Sequence, residues 1–375
     1  MESHTRLNHA VVFEVAKSKL TKTRVVSLNT TTALADDEVL LKIDKFALTA
    51  NNISYGITGD SLGYWRFFPT EKNAEQAQWG QLPVMGFAEV VASNNQQIRV
   101  GERVWGFVPM ASHLKIIAGN INSSGFSDRN PCREGLAPVY SRFDRVASNP
   151  FYKQTNEDFD ILLRGLFTTS WLVDDFMFDN HYFGAEQYLI TSASSKTSIA
   201  LAFAIKRRND LPTIGITSQS NCQFVAALGC YDQVISYQQI TSLQLNTASI
   251  LVDMAGSKTI LTAIHQHFAD KIKYSCLIGA THHQDININD NFKHDALPGA
   301  VPTFFFAPTH IKKRTLDWGA SQTMQQINLS LLQYIEFCRS KITINHTDNI
   351  NQLETIYQQV LAGKTDPSVG QIVSL

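Results

Sequence analysis

The feature that most restricts this chain is an alternation of short apolar runs and helix-period segments that begins near Phe151. Residues 159–178 carry apolar side chains at helical spacing, and Gln187–Thr191 (QYLIT) follows as a β-type run that passes into the polar turn 192–196. An apolar helix over 199–205, a strand at Thr213–Thr217, a helix over 221–228 and a strand at Gln233–Ser236 come next. Then come a strand at 250–253, a helix at Lys258–Phe268 and a strand over 274–278 that ends at Gly279. Strand and helix alternating through short connections require right-handed crossovers and a parallel sheet covered by helices on both faces.

The first part of the chain has another texture. Apolar runs at 10–15, 38–43, 84–91, 103–108 and 114–117 are short and separated by turn residues, which predicts a mostly-β domain. Between them, residues 51–82 are rich in Gly, Tyr, Trp and Phe without periodicity and are expected to form an irregular functional loop. Beyond Gly279, residues 281–297 predict a polar surface excursion, 301–307 a strand, 351–361 a helix and 370–375 a closing strand. A chain of 375 residues exceeds the roughly 250–300 at which a single core stops growing, so two domains are expected. They are a mostly-β domain of residues 1–150 with 305–375, and a parallel-sheet α/β domain at 151–304.

Charge and composition exclude several classes. The 32 basic and 33 acidic residues nearly cancel without a basic run, so neither a nucleic acid nor an anionic membrane has an evident docking face. Residues 10–15 are too short for the apolar region of a signal peptide, and no run reaches the roughly 20 apolar residues that span a bilayer. A cytoplasmic protein is expected. Cys132, Cys222, Cys230, Cys276 and Cys338 contain no CxxC pair and read as small hydrophobes rather than a disulfide framework or zinc knuckle.

Segments in order along nearly the whole chain carry a family resemblance. They are VMGFAEVV (84–91), the turn Gly101-Glu102-Arg103-Val104, LFTTSWLV (166–173), LGCYDQVISY (228–237), LVDMAG (251–256), CLIGA (276–280) and the closing LAGKTDPSVGQIVSL. The chain resembles the medium-chain dehydrogenases/reductases, in their zinc-free quinone oxidoreductase and enoyl reductase branch, and is most similar to the DUF2855 proteins of unknown function. The resemblance implies an α/β protein with a GroES-like mostly-β domain plus a Rossmann doubly wound parallel-sheet domain. It also implies an NADP cofactor, a small-molecule substrate and a homodimer. Where zinc-dependent relatives carry a Cys and a Gly-His-Glu motif, this chain has Ala47, Leu48 and Thr49, and then Gly86, Phe87 and Ala88, so catalytic zinc is not expected.

The nucleotide fingerprint departs from the family pattern. Its Gly-Ala-Ser-Gly-Gly-Val-Gly turn stands here as Ser192, Ala193, Ser194, Ser195, Lys196, Thr197 and Ser198, so every glycine that would let backbone N–H groups approach a pyrophosphate is gone. Small serines still allow close approach, and hydroxyls with the Lys196 ammonium can donate to phosphate. The plainer alternative is that Ser194 or Ser195 caps the helix and Lys196 is solvated. At the end of the second strand, Thr217 and Ser218 lead a neutral loop where an acid would bind the ribose of NAD, which favours NADPH. Thr169, with Ser170, matches the family's cofactor-side Thr-Ala pair, and Gly279 and Ala280 end the strand expected beside the nicotinamide.

For the chemistry, Tyr55 falls where zinc-free relatives place a tyrosine near the substrate, and its phenol could protonate or hydrogen-bond a developing enolate. The alternative is a packed loop tyrosine. Asn51 and Asn52 read as turn residues, with site donors as the other reading. Tyr64, Trp65, Phe67 and Phe68 fit a substrate slot or core packing equally. His282 and His283 read as solvated, not as metal ligands.

The function expected is an NADPH-dependent reductase of an activated C=C or C=O bond in a quinone, enone or enoyl thioester, with hydride transfer in the cleft between the domains. Two other classes fit the residues: a noncatalytic nucleotide sensor, and a dehydrogenase-derived interaction scaffold.

Overall fold

The computed structural model describes residues 7–30, 33–70, 75–254, 256–278 and 297–375. Gly279, Ala280, His282, His283 and the expected excursion up to residue 296 lie outside the described residues. By internal contacts the chain divides into two units, Met1–Leu162 with Ile344–Leu375, and Leu163–Thr343.

The first unit begins with β1 (Leu7–Ala16), β2 (Lys19–Thr30), β3 (Glu38–Leu48) and helix α1 (Ala50–Ile57). It continues through β4 (Trp79–Gly80), β5 (Pro83–Ser93), β6 (Arg103–Pro109), β7 (His113–Asn122), β8 (Gly125–Asp128) and β9 (Arg142–Arg145). Helix α2 (Glu157–Asp179) contains the boundary, and the second unit follows as β10 (Gln187–Thr191), α3 (Lys196–Arg208), β11 (Thr213–Thr217) and α4 (Cys222–Leu228). Next are β12 (Gln233–Ser236), β13 (Ser249–Asp253), α5 (Lys258–Phe268), β14 (Ile272–Leu277), β15 (Pro302–Phe304), α6 (Ala307–Trp318) and α7 (Ala320–Arg339). The chain then finishes the first unit with β16 (Thr343–Thr347), α8 (Ile350–Leu361) and β17 (Val369–Val373).

In the first unit an eight-stranded sheet runs β16-β17-β3-β5-β6-β9-β8-β7, and β7 also pairs antiparallel with β3, so six of its strands close into a barrel. Alternation along β3 and its partners turns Val39, Leu41, Ile43, Val84, Val90, Val104, Val108, Phe126 and Phe143 into one buried core. In the second unit the six strands pair in parallel in the order β12-β11-β10-β13-β14-β15. Numbered from β10, this is the order 3-2-1-4-5-6 of a doubly wound dinucleotide fold, with its switch point between β10 and β13. All five residues of β11 and of β13 are buried, which explains their continuous rather than alternating apolar patterns.

Three expectations need correction. Residues 51–82 are not irregular throughout: α1 opens the segment, because Thr49 and Asn52 form a reciprocal capping box that starts a helix. Asn51 and Asn52 are therefore helical, not turn residues. The strand expected over 301–307 is confined to Pro302–Phe304, because Ala307 and Pro308 begin α6, where a proline in the first turn is tolerated. Helices α6 and α7 had no counterpart in the sequence reading, and they fall in the second unit, whereas 305–375 was expected to rejoin the first.

Candidate functional site

The turn that joins β10 to α3 lies at the carboxyl end of the sheet, beside the switch point where ligands bind in such folds. Ser192 adopts a left-handed backbone (φ 47°), the conformation that glycine usually supplies at this turn. The strain is offset locally. The Ser192 carbonyl accepts the Ser195 N–H at 2.7 Å, and the buried Ala193 donates its N–H to the Ile216 carbonyl at 3.1 Å. Ser195 is the N-cap of α3, its hydroxyl accepting from the Ser198 N–H at 3.1 Å, and the Ser198 hydroxyl donates back to the Thr191 carbonyl at 2.9 Å.

A glycine still enables close packing here, but it stands on β11. A Cβ on Gly215 would come within 2.8 Å of the Tyr231 ring and 3.0 Å of the Ala193 Cβ. The bare Gly215 lets Tyr231 press beneath the turn and donate its hydroxyl to the Ala193 carbonyl at 3.0 Å. From the other side, the buried Ser170 hydroxyl of α2 reaches the Thr197 carbonyl at 2.8 Å, and the Tyr334 hydroxyl of α7 reaches the Lys196 carbonyl at 3.2 Å. Thr169 turns its hydroxyl into its own helix, to the Gly165 carbonyl at 3.2 Å. Its neighbour Ser170 is the residue that braces the turn.

Neutral donors line the rim between β10 and β11. The Ser194 hydroxyl oxygen accepts from the Thr217 hydroxyl at 3.2 Å and from the Asn221 amide at 2.9 Å, and Ser218 bonds Ser220 at 3.0 Å. With its oxygen so engaged, the Ser194 O–H is left to donate outward. The Ser192 hydroxyl stands 3.3 Å from the Tyr237 hydroxyl. The buried acid Asp253 at the end of β13 is occupied by the Thr191 hydroxyl and by the Gly256 N–H at 3.0 Å. The structure thus brings together Ser192 to Ser198, Thr217 and Ser218. Asn221 belongs to the neutral loop after β11 that the sequence singles out, whereas Tyr231 and Tyr237 were not foreseen; the partners of all three lie 27 to 45 residues away.

Tyr55 belongs to the first unit. It lies on α1 with its ring 4.3 Å from that of Tyr64 and 5.5 Å, edge-on, from Phe107, and its hydroxyl accepts from the Asn51 amide at 2.7 Å. Burial pushes its phenol well above the ordinary tyrosine range, and the Asn51 bond works in the opposite direction. It is therefore a neutral donor at physiological pH. Tyr64, Phe67 and Phe68 pack with Phe107 in a buried cluster within this unit, while Trp65 joins the main core and fills the space over Gly59 and Gly80. Among the described residues, no group of three or more His, Cys, Asp or Glu could hold a metal. No helix among them is long and apolar enough to cross a membrane.

A family model described as a protein of unknown function (DUF2855) matches residues 46–366. No curated protein matches the sequence. Solved structures resemble the chain over nearly all of its length. CurA from Vibrio vulnificus in complex with NADPH superposes with a TM-score of 0.58 at 12% identity, covering 97% of this chain and 98% of that one. A mutant form of enoyl thioester reductase from Candida tropicalis gives 0.53 at 13% identity, with 98% and 100% covered. The YhdH oxidoreductase from Salmonella enterica in complex with NADP gives 0.51 at 10% identity, with 97% and 99% covered. At such identities the likeness is one of fold: a GroES-like domain with a Rossmann domain.

Proposed function

The chain belongs to the DUF2855 family, and we propose that it is an NADPH-dependent, zinc-independent oxidoreductase that reduces an activated C=C or C=O bond in a quinone, enone or enoyl thioester. The observation that carries the proposal is the intact switch-point turn. Without its glycines, it retains a capped helix N-terminus and a rim of neutral donors on a 3-2-1-4-5-6 sheet. That solved structures of the same fold hold NADPH and NADP supports the choice of cofactor.

In this reading the residues divide the work. The N-terminal turn of α3, with Ser192, Ala193, Ser194, Ser195, Lys196 and Thr197, would hold the pyrophosphate. Thr217 and Ser218 would face the ribose and its 2′-phosphate, and Thr169 would stand on the nicotinamide side. The cofactor, when bound, supplies a hydride. Tyr55, neutral because of its burial, would supply the proton that the reduced oxygen or carbon takes up. Zinc independence rests on the side chains at the family's ligand positions: Ala47 and Leu48 are buried in β3, and Phe87 and Ala88 in β5.

Acceptor-dependent oxidation of NADPH, measured over quinones, enones and enoyl thioesters, tests the proposal. NADPH binding without turnover on any of them would favour a noncatalytic sensor instead. Cofactor choice has its own test in Asn221→Asp. A carboxylate there would repel a 2′-phosphate and accept a ribose hydroxyl, so the ratio of NADPH to NADH affinity should fall by about 10- to 100-fold. An unchanged ratio in equilibrium titrations would remove the β11 rim from the cofactor site.

A further inference from the structure

We propose that Asn51 is a positioning residue for Tyr55: its amide holds the phenol oxygen so that the phenolic proton points away, toward the substrate, and it steadies the charge that forms when that proton leaves. This rests on the reading of Tyr55 as proton donor.

The geometry is local and rigid. Asn51 and Tyr55 are four residues apart on α1, so the helix itself sets one side chain over the other. The amide Nδ2 lies 2.7 Å from the Tyr55 oxygen. An N–H can only donate, so this contact fills an acceptor site on the phenol and cannot receive its hydrogen. The O–H must find another acceptor. The ring has little freedom to turn away, because Tyr64 lies against it at 4.3 Å and Phe107 at 5.5 Å. Asn52, the next residue, is spent on structure, with its oxygen on the Thr49 N–H at 2.7 Å and its amide on the Pro83 carbonyl at 2.9 Å. The two asparagines thus divide between building the helix and holding the phenol. Proton loss would leave an oxyanion on the half-buried Tyr55, where a donor already in place lowers the barrier without reorganisation.

The test uses the full-length protein with NADPH and two probe acceptors, 1,4-benzoquinone and trans-2-hexenal, comparing Asn51→Leu, Asn51→Asp and Tyr55→Phe. Asn51→Leu removes the donor, and kcat should fall about tenfold or more with NADPH affinity unchanged. Combined with Tyr55→Phe, it should cause no further loss, because the two act as a unit. Asn51→Asp gives a pH signature. The ionised carboxylate would draw the phenolic proton back, whereas the protonated carboxyl can donate as the amide does. Its kcat, relative to wild type, should therefore recover as pH falls through the introduced group's pKa. This recovery should be absent in the Tyr55→Phe background. A merely structural Asn51 would lower the melting temperature and produce no such profile.

Asn51 variants that turn over at the wild-type rate while Tyr55→Phe is slow would overturn the inference alone. A fully active Tyr55→Phe would overturn it together with the role of Tyr55. No acceptor-dependent oxidation by the wild type itself would remove the oxidoreductase reading on which it rests.

Discussion

Replacing Ser194 by aspartate should abolish NADPH binding at ordinary concentrations while leaving the fold intact. The Ser194 oxygen already accepts from Thr217 and Asn221, and a carboxylate accepts such donors more strongly than a hydroxyl does. The position also lies just before the N-cap of α3, where a negative charge is favourable in the absence of ligand. The free protein should therefore melt at the wild-type temperature or slightly above it. With a phosphate in the turn the same charge becomes a like-charge contact. At about 4 Å and an effective dielectric of about 20, that contact costs on the order of 4 kcal/mol, enough for a loss of a hundredfold or more in affinity. Isothermal titration of Ser194→Asp with NADPH measures it. Unchanged affinity would mean that the phosphates lie elsewhere.

The second large effect concerns stability. In the second unit, Asp175 of α2 is buried and accepts from the His310 Nε2 of α6 at 2.7 Å and from the Arg314 guanidinium, whose Nη2 lies 3.2 Å away. His310 and Arg314 are themselves only 5% and 6% exposed. Asp175→Ala leaves the buried His310 Nε2 without its acceptor and takes from Arg314 one of three carboxylates, Asp179 and Asp317 remaining at 3.0 Å, which should cost about 3 kcal/mol. Because the two units need not unfold together, the loss is best read from hydrogen exchange of α2 and α6. The pH dependence has a definite sign. Burial alone would raise the Asp175 carboxyl, but hydrogen bonds from His310 and Arg314 outweigh it and hold the group below its ordinary value. Its contribution is therefore present above about pH 4, the unfolded carboxylate range, and disappears as pH falls through the lower folded value. The gap between wild type and Asp175→Ala should close in acid. A gap that does not narrow as the solution is acidified below the unfolded carboxylate range, or no gap at neutrality, would contradict this account.

The two units differ in how much of them the sequence discloses. Strands at Gln187–Thr191, Thr213–Thr217 and Gln233–Ser236 and the helix at Lys258–Phe268 have the bounds expected, because polar turns separate their apolar runs, which are unbroken where the strand is wholly buried, as at Thr213–Thr217. Helix α6 escaped notice for the opposite reason. Its buried positions are His310 and Arg314, polar residues that a hydrophobic period does not register, whereas α7 carries Ile327, Leu331, Tyr334, Ile335 and Cys338 at helical spacing and was readable. In α1, Gly56 and the glycines that follow hide a helix whose start is set by the Thr49–Asn52 box. The turn residues themselves are visible as departures from the family pattern. What holds them is not, since Asn221 on Ser194, Tyr231 on Ala193 and Ser170 on Thr197 are meetings that only the folded sheet brings about.

The central claim is that the serine turn between β10 and α3 binds NADPH, and thermal denaturation of the wild-type chain with and without NADPH and NADH tests it most directly. At about 100 times its dissociation constant a ligand stabilises the native state by roughly 2.7 kcal/mol. NADPH should raise the melting temperature of the second unit clearly, and NADH at the same concentration much less. No shift with either nucleotide would contradict the claim and leave the interaction scaffold as the better account of this fold.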